Sequence, residues 1–168
     1  MINRPKWDDY FFGLAFLISR RSPDWSSKHA AIAADKHNRI LGFGFNGLVR
    51  GVDDEEIPTD RNEKNRWTIH SEVNLILNSR RRFKKKDTIY ITGIPCLNCI
   101  SDLIQYGAKR ILAADRRGYT NPPPTQLEDI EKLCKKTKVS LRIVKPNLNW
   151  IYNEDLRKEL LDLNFVAE

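Results

Sequence analysis

Three residues within one stretch have the types and spacing of a metal site. His70 is followed by Ser71-Glu72, and Pro95-Cys96-Leu97-Asn98-Cys99 comes one helix-like run and one strand-like run later. One imidazole and two thiols are ligands that zinc favours, and three of them leave a fourth position open. A catalytic zinc needs that opening, because water must enter there. Glu72, two residues after the imidazole, is the natural proton carrier for that water. A Cys-x-x-Cys alone also suits a redox pair or half of a structural zinc site. A redox pair gives no reason for His-x-Glu upstream. A structural site needs a fourth protein ligand, and Cys134, His29 and His37 lack ligand-like spacing to the cluster. His29 and His37 then read as side chains of a hairpin region, and Cys134 as a buried thiol in a helical pattern. The favoured assignment is a catalytic Zn2+ held by His70, Cys96 and Cys99, with Glu72 as the catalytic residue.

The elements around these residues must bring them together. Apolar positions Tyr10, Phe11, Leu14, Ala15, Leu17 and Ile18 recur at helical period, predicting a helix over 6–20 that Ser22-Pro23 breaks. Ala30 to Ala34 and Ile40 to Phe45 read as a β-hairpin that ends at Asn46-Gly47. Asn46 is either a plain turn residue or an amide that holds a polar group of a substrate. Gly51 to Arg66 loses periodicity and reads as a loop or short helix over one face. Thr68 is expected to cap a helix over about 69–79, with Val73, Leu75, Ile76 and Leu77 facing inward. The basic run Arg80 to Lys86 joins that helix to a strand over Thr88 to Thr92. It is either a solvated connection or a polyanion contact in which Phe83 stacks on a base. Pro95 suits the first position of a helix over about 96–106, which places both thiols in one turn. A helix start also favours the thiolate form. Strands at 110–114 and 139–144 and helices at 126–137 and 153–163 complete the chain, with a loop over 115–120 and a stiff spacer at Pro122-Pro123-Pro124. Helices alternating with strands predict an α/β fold: a mixed sheet of roughly five strands with helices on both faces.

Composition sets the outer bounds. The 168 residues suit a single domain over 1–168, with the tail from about 122 packing on the body or on a partner subunit. No run of about 18 apolar residues occurs, so no membrane span is expected. The N-terminus lacks a signal-peptide pattern, and three cysteines make no even disulfide set, so a cytoplasmic location is expected. The net charge of +7 suits anionic partners and equally a solvated basic surface.

The order His-x-Glu then Pro-Cys-x-x-Cys is the signature of the zinc nucleobase deaminases. Over about residues 7–119 the chain resembles the deoxycytidylate (dCMP) deaminases of the cytidine deaminase-like superfamily. The resemblance is carried by Asp9-Tyr10-Phe11, Arg21-Ser22 with Asp24, Gly44-Phe45-Asn46-Gly47, Gly51-Val52-Asp53-Asp54, Asp60-Arg61, His70-Ser71-Glu72-Val73-Asn74 and Pro95-Cys96-Leu97-Asn98-Cys99. It implies a three-layer cytidine deaminase-like fold and hydrolysis of dCMP to dUMP and ammonia. It also implies that Asn46 binds the base or sugar, and that the loop from Ser22 to Lys28, with Tyr119, lies near the 5′-phosphate. A homo-oligomer is implied as well, and some members are regulated by dCTP and dTTP. The chain departs from the family at His29-Ala30-Ala31, where Val-Gly-Ala is usual, at Ser71, where Ala is usual, and in the basic run 80–86.

Rival readings keep the chemistry but move it to another free nucleotide or to a polynucleotide. A further rival is a zinc-stabilised nucleic-acid-binding module without catalysis. Glu72 has no role in such a module, which favours an enzyme. Free-nucleotide turnover separates the polynucleotide reading, and a small-molecule nucleotide is the expected partner, nucleic acid not.

Overall fold

The computed structural model describes residues 4–116, 124–152, 154–163 and 166; of these, the side chains of 124, 125 and 154–156 are not described. Helix α1 (Trp7–Ser19) leads into a hairpin of β1 (Ala30–Ala34) and β2 (Ile40–Phe45). After β3 (Gly47–Leu48) come a 3-10 turn at Asp54–Glu56, helix α2 (Arg61–Trp67), β4 (Thr68–Ile69) and helix α3 (Ser71–Asn78). Then follow β5 (Thr88–Ile91), α4 (Leu97–Gln105), β6 (Arg110–Ala114), α5 (Pro124–Thr137), β7 (Ser140–Val144) and α6 (Glu154–Asp162).

The main sheet has the order β2-β1-β5-β6-β7, antiparallel on the hairpin side and parallel from β5 to β7. This is the mixed five-stranded sheet that the helix–strand alternation predicts. The parallel pairs require helical crossovers, and α4 and α5 supply them. β1 is central and buried along its whole length. Its side chains alternate between two cores, as the pleat dictates. Ala31 and Ala33 face Leu75, Ile89, Ile91, Ile100 and Leu103. Ile32 and Ala34 face Phe11, Phe12, Ala15, Tyr90 and Leu112. Helix α1 covers one face of the sheet, and α3, α4 and α5 cover the other. Small alanines on β1 let helices approach from both sides.

Gly44 sets the closest of these approaches. A Cβ there would lie 2.3 Å from the Leu75 nitrogen and 2.5 Å from the Ser71 carbonyl oxygen. Helix α3 therefore rests directly on the β2 backbone. Asn74 Nδ2 fastens it by donating to the Phe45 carbonyl at 2.8 Å.

Some expectations are corrected. Thr68 does not cap a helix start. It closes α2, its hydroxyl donating to the Lys64 carbonyl at 2.8 Å, and its backbone pairs with Leu48. Asp60 caps α2 and His70 is the N-cap of α3. Hydrophobic periodicity could not reveal α2, because its seven residues bury a lysine instead of an apolar stripe. Leu77 is 72% exposed, so only Leu75 and Ile76 of the expected inward set join the core, with Val73 half-buried. Pro95 precedes the α4 cap, which is Cys96. Phe83 is 5% exposed and meets Tyr106 edge-on at 5.0 Å. Its ring is a core residue and is not available to stack on a base. Arg81 grips the buried Asp87 through two nitrogens at 2.7 and 3.1 Å, which pins the basic run at one point. No helix among the described residues is long and apolar enough to cross a membrane.

Candidate metal centre

The candidate ligands sit on two helix starts that meet near the end of β5. His70 is the N-cap of α3. Cys96 is the N-cap of α4, where its sulfur accepts the Cys99 backbone N–H at 3.4 Å. One turn of helix then places Cys99 beside Cys96. His70 Nδ1 lies 3.2 Å from the Cys99 sulfur and 3.6 Å from the Cys96 sulfur. All three ligand atoms fall within 4.8 Å of one another. A tetrahedral zinc with sulfur at about 2.3 Å and nitrogen at about 2.0 Å spaces S and N roughly 3.6 Å apart. The donor set and its spacing therefore fit zinc.

The thiols show what a cation would find. Cys96 is held at about 4, because the Cys99 thiol donates to it and outweighs burial, with His70 adding to the effect. Cys99 is pushed up by the neighbouring Cys96 sulfur and by burial. Left to themselves the pair shares one proton, and a bound cation releases it. His70 is raised through its contact with Cys96, against burial.

Glu72 lies on the wall of a cavity of about 330 Å³ that opens beside these ligands. Burial raises its carboxyl; its own backbone N–H and the Ser71 hydroxyl pull the other way. Ser71 Oγ donates to Glu72 Oε2 at 2.9 Å, fixing the orientation of the carboxylate. A buried carboxyl with a raised pKa is suited to exchanging protons near neutral pH.

A buried polar network builds the opposite wall. Asp24 Oδ1 accepts from the backbone N–H groups of Ser26 and Ser27 at 2.8 and 2.9 Å. Asp24 Oδ2 accepts from Lys64 Nζ at 2.6 Å and from Asn46 Nδ2 at 3.1 Å. Burial works against the Asp24 carboxylate, but Lys64 and the N–H groups of Ser27 and Ser26 outweigh it and lower its pKa. Asn46 Nδ2 also donates to the Ser27 carbonyl at 2.8 Å, and Asn46 Oδ1 accepts the His29 N–H at 2.7 Å.

The structure thus brings His70, Cys96, Glu72 and Asn46 around one cavity, with Cys99 buried beside His70 and Cys96. Both amide hydrogens of Asn46 are already committed within the protein. Ser22 is buried away from the cavity, its hydroxyl accepting the Asp24 N–H at 3.2 Å. Lys28 Nζ donates to the Ser22 carbonyl, and Lys28 borders a separate hollow with Trp25 and Arg116. Neither the Ser22 nor the Lys28 side chain enters the cavity. The loop is folded onto itself by Asp24, and that turn directs both away. Tyr119 lies outside the described residues. Sequence reasoning missed Lys64 and the role of Asp24, and it placed His29 with ordinary hairpin side chains. Asp24, in a Ser-Pro-Asp turn with serines after it, carried a local signal for backbone capping. Lys64 carried none, because its partner lies 40 residues away in the chain.

Comparison with known proteins points the same way. The family model for the cytidine and deoxycytidylate deaminase zinc-binding region matches residues 5–115. The chain is 30% identical over 138 residues to the deoxycytidylate deaminase of Mus musculus, covering 79% of this chain and 78% of that one. It is 33% identical over 113 residues to the deoxycytidylate deaminase of Pongo abelii, covering 64% of each. The chain thus spans somewhat under two thirds of the Pongo abelii relative. Among solved structures, the dCMP deaminase of cyanophage S-TIM5 superposes with a TM-score of 0.65 at 19% identity, over 84% of this chain and 99% of that one. At that identity the likeness speaks for the fold. A second structure of that protein holds dCMP and dUMP and superposes with a TM-score of 0.64.

Proposed function

The chain belongs to the cytidine and deoxycytidylate deaminase zinc-binding family, and from that premise we propose that it hydrolyses dCMP to dUMP and ammonia. The observation that carries the reading is the position of Glu72, buried on the cavity wall beside the atoms of His70, Cys96 and Cys99 that fit zinc. When bound there, zinc supplies Lewis acidity that brings the pKa of water toward neutral. Glu72 takes one proton from the attacking water and passes it to the ring nitrogen, then carries the second proton, from the added hydroxyl, to the amine that leaves as ammonia. Water adds to the carbon bearing the amine, the C–N bond breaks, and the ring keeps the oxygen. Ser71 holds the carboxylate in place. Asn46 shapes the wall by tying Asp24, Ser27 and His29 together. The resemblance implies a phosphate role for the loop from Ser22 to Lys28 and for Tyr119; of that loop, Ser27 is a residue that lines the cavity, while the Ser22 and Lys28 side chains turn away from it.

The proposal extends to the whole protein. We take 1–168 as one domain, because β7 continues the sheet beyond the family match and α5 packs on α4. A homo-oligomer is supported by Leu77, Val49 and Ile69, which line one hollow beside α3 with Leu77 and Val49 exposed. Regulation by dCTP and dTTP belongs to the proposal on the resemblance alone. A cytoplasmic location agrees with three free thiols.

The test is ammonia release by the zinc-loaded protein from dCMP, CMP, dCTP, deoxycytidine, dAMP and a cytosine-containing oligonucleotide, alongside Glu72→Gln. Turnover of dCMP above the others, with the variant down about 10²–10⁴-fold and still holding zinc, is the expected result. Loss of zinc from Glu72→Gln would make Glu72 a ligand and overturn its assignment as proton carrier. Turnover of another nucleotide alone would move the substrate.

A further inference from the structure

His29 ends the loop before β1, and it lines the same cavity as Glu72. Its backbone is pinned from both sides by Asn46. The His29 N–H donates to Asn46 Oδ1 at 2.7 Å, and the His29 carbonyl accepts the Asn46 N–H at 3.1 Å. The ring lies against Gly93, where a Cβ would fall 2.9 Å from Cε1 and 3.1 Å from Nδ1. Glycine at 93 makes the niche that the ring occupies.

Among the described residues every hydrogen bond of His29 is made by its backbone. The ring nitrogens have no hydrogen-bond partner among the described residues, and the half-buried side chain borders the cavity, from which a ligand can supply one. Three polar side chains that line the cavity are committed elsewhere: Ser71 to Glu72, Thr68 to the Lys64 carbonyl, and Asn46 to Asp24 and Ser27. Burial, with Arg116 adding to it, lowers the ring to about 4. At neutral pH it therefore offers one N–H donor and one acceptor nitrogen, without charge. That chemistry suits a hydroxyl or a carbonyl and does not suit a phosphate.

We propose that His29 is a specificity-determining residue whose ring hydrogen-bonds a neutral polar group of the bound nucleotide, either a sugar hydroxyl or the ring carbonyl. The inference rests on the nucleotide reading of the same cavity. It assigns a role to a position where the resemblance leads to an expectation of valine.

The test uses the full zinc-loaded chain with His29→Val. His29→Phe, which keeps a ring without its nitrogens, is the second variant. Kinetics are measured on dCMP and on the dideoxy nucleotide that lacks the 3′-hydroxyl. Binding of dUMP is measured by calorimetry, and zinc by elemental analysis. Both variants are expected to keep zinc, to lose about tenfold in kcat/KM on dCMP and to bind dUMP more weakly by a similar factor. If the loss disappears on the dideoxy nucleotide, the partner is the hydroxyl; if it persists there, the partner is the ring carbonyl. Unchanged kcat/KM and unchanged dUMP binding in zinc-replete variants would overturn the inference. A wild-type protein without activity on dCMP would instead overturn the proposed reaction.

Discussion

Lys64 Nζ lies 2.6 Å from Asp24 Oδ2, and neither side chain is more than 3% exposed. The pair joins α2 to the loop that follows α1, across a cavity wall that neither element forms alone. Ser26 Oγ accepts a second bond from the same ammonium at 2.8 Å, and the Trp25 ring lies 5.4 Å from it. Removing one partner of a buried pair leaves the other charge stranded, which costs about 3–5 kcal/mol. Lys64→Met is therefore expected to lower Tm by on the order of 10 °C. Lys64→Met with Asp24→Asn should lose less than the two single losses added together. Thermal melts of the four proteins measure the coupling, and simple additivity would reduce the pair to two independent polar residues.

Cys99 is buried and close to both other candidate ligands. Cys99→Ser should abolish stoichiometric zinc and lower Tm by several degrees. Cys134→Ser, in the other buried thiol, should leave zinc unchanged. Elemental analysis of the two variants side by side checks the ligand set. Full zinc in Cys99→Ser would remove that residue from it.

Gly44 leaves no room for a methyl group, because the atoms it would meet belong to the α3 backbone. Gly44→Ala must push α3, and His70 with it, away from β2. Overpacking of this kind costs about 1–3 kcal/mol. A lower Tm together with weaker zinc retention against a chelator is expected. If stability falls while zinc retention stays at the wild-type level, α3 moves without carrying the metal centre.

His29 sets a pH dependence. Burial, with Arg116 nearby, lowers its pKa from 6.5 to about 4. Between those values the unfolded chain binds a proton that the folded chain refuses. Stability tied to the neutral ring is complete above about pH 6.5 and is lost as pH falls toward 4, with a slope of up to about 1.4 kcal/mol per pH unit. Across pH 7 to 4, wild type should lose stability relative to His29→Val, as read from denaturant midpoints. A constant difference across that range would contradict the lowered pKa.

Most of the sheet was legible, because β1, β2, β5 and β6 are apolar runs bounded by turn residues, and β1 and β5 are buried along their whole length. The ligand motif was legible for another reason. His70, Cys96 and Cys99 are chemically rare, and two of them lie in one helical turn. What stayed hidden depends on contacts between distant residues. Lys64 looks like a surface lysine until Asp24 is brought to it. Phe83 sits among six basic residues and looks exposed, yet it fills the core against Tyr106. Asn46 reads locally as a turn residue or a substrate contact, and its ties to Asp24, Ser27 and His29 carry no local signal.

Both ligand-bearing helices begin at the centre, α3 from His70 and α4 from Cys96. Each helix start presents the positive end of its dipole, equivalent to about half a positive charge. Two thiolates and the Glu72 carboxylate bring three negative charges to this point, and a divalent cation leaves one uncompensated. The two helix starts together balance that remainder. On the proposed assignment, the Glu72 carboxylate and two thiolates then sit together with little net charge to repel an anionic nucleotide.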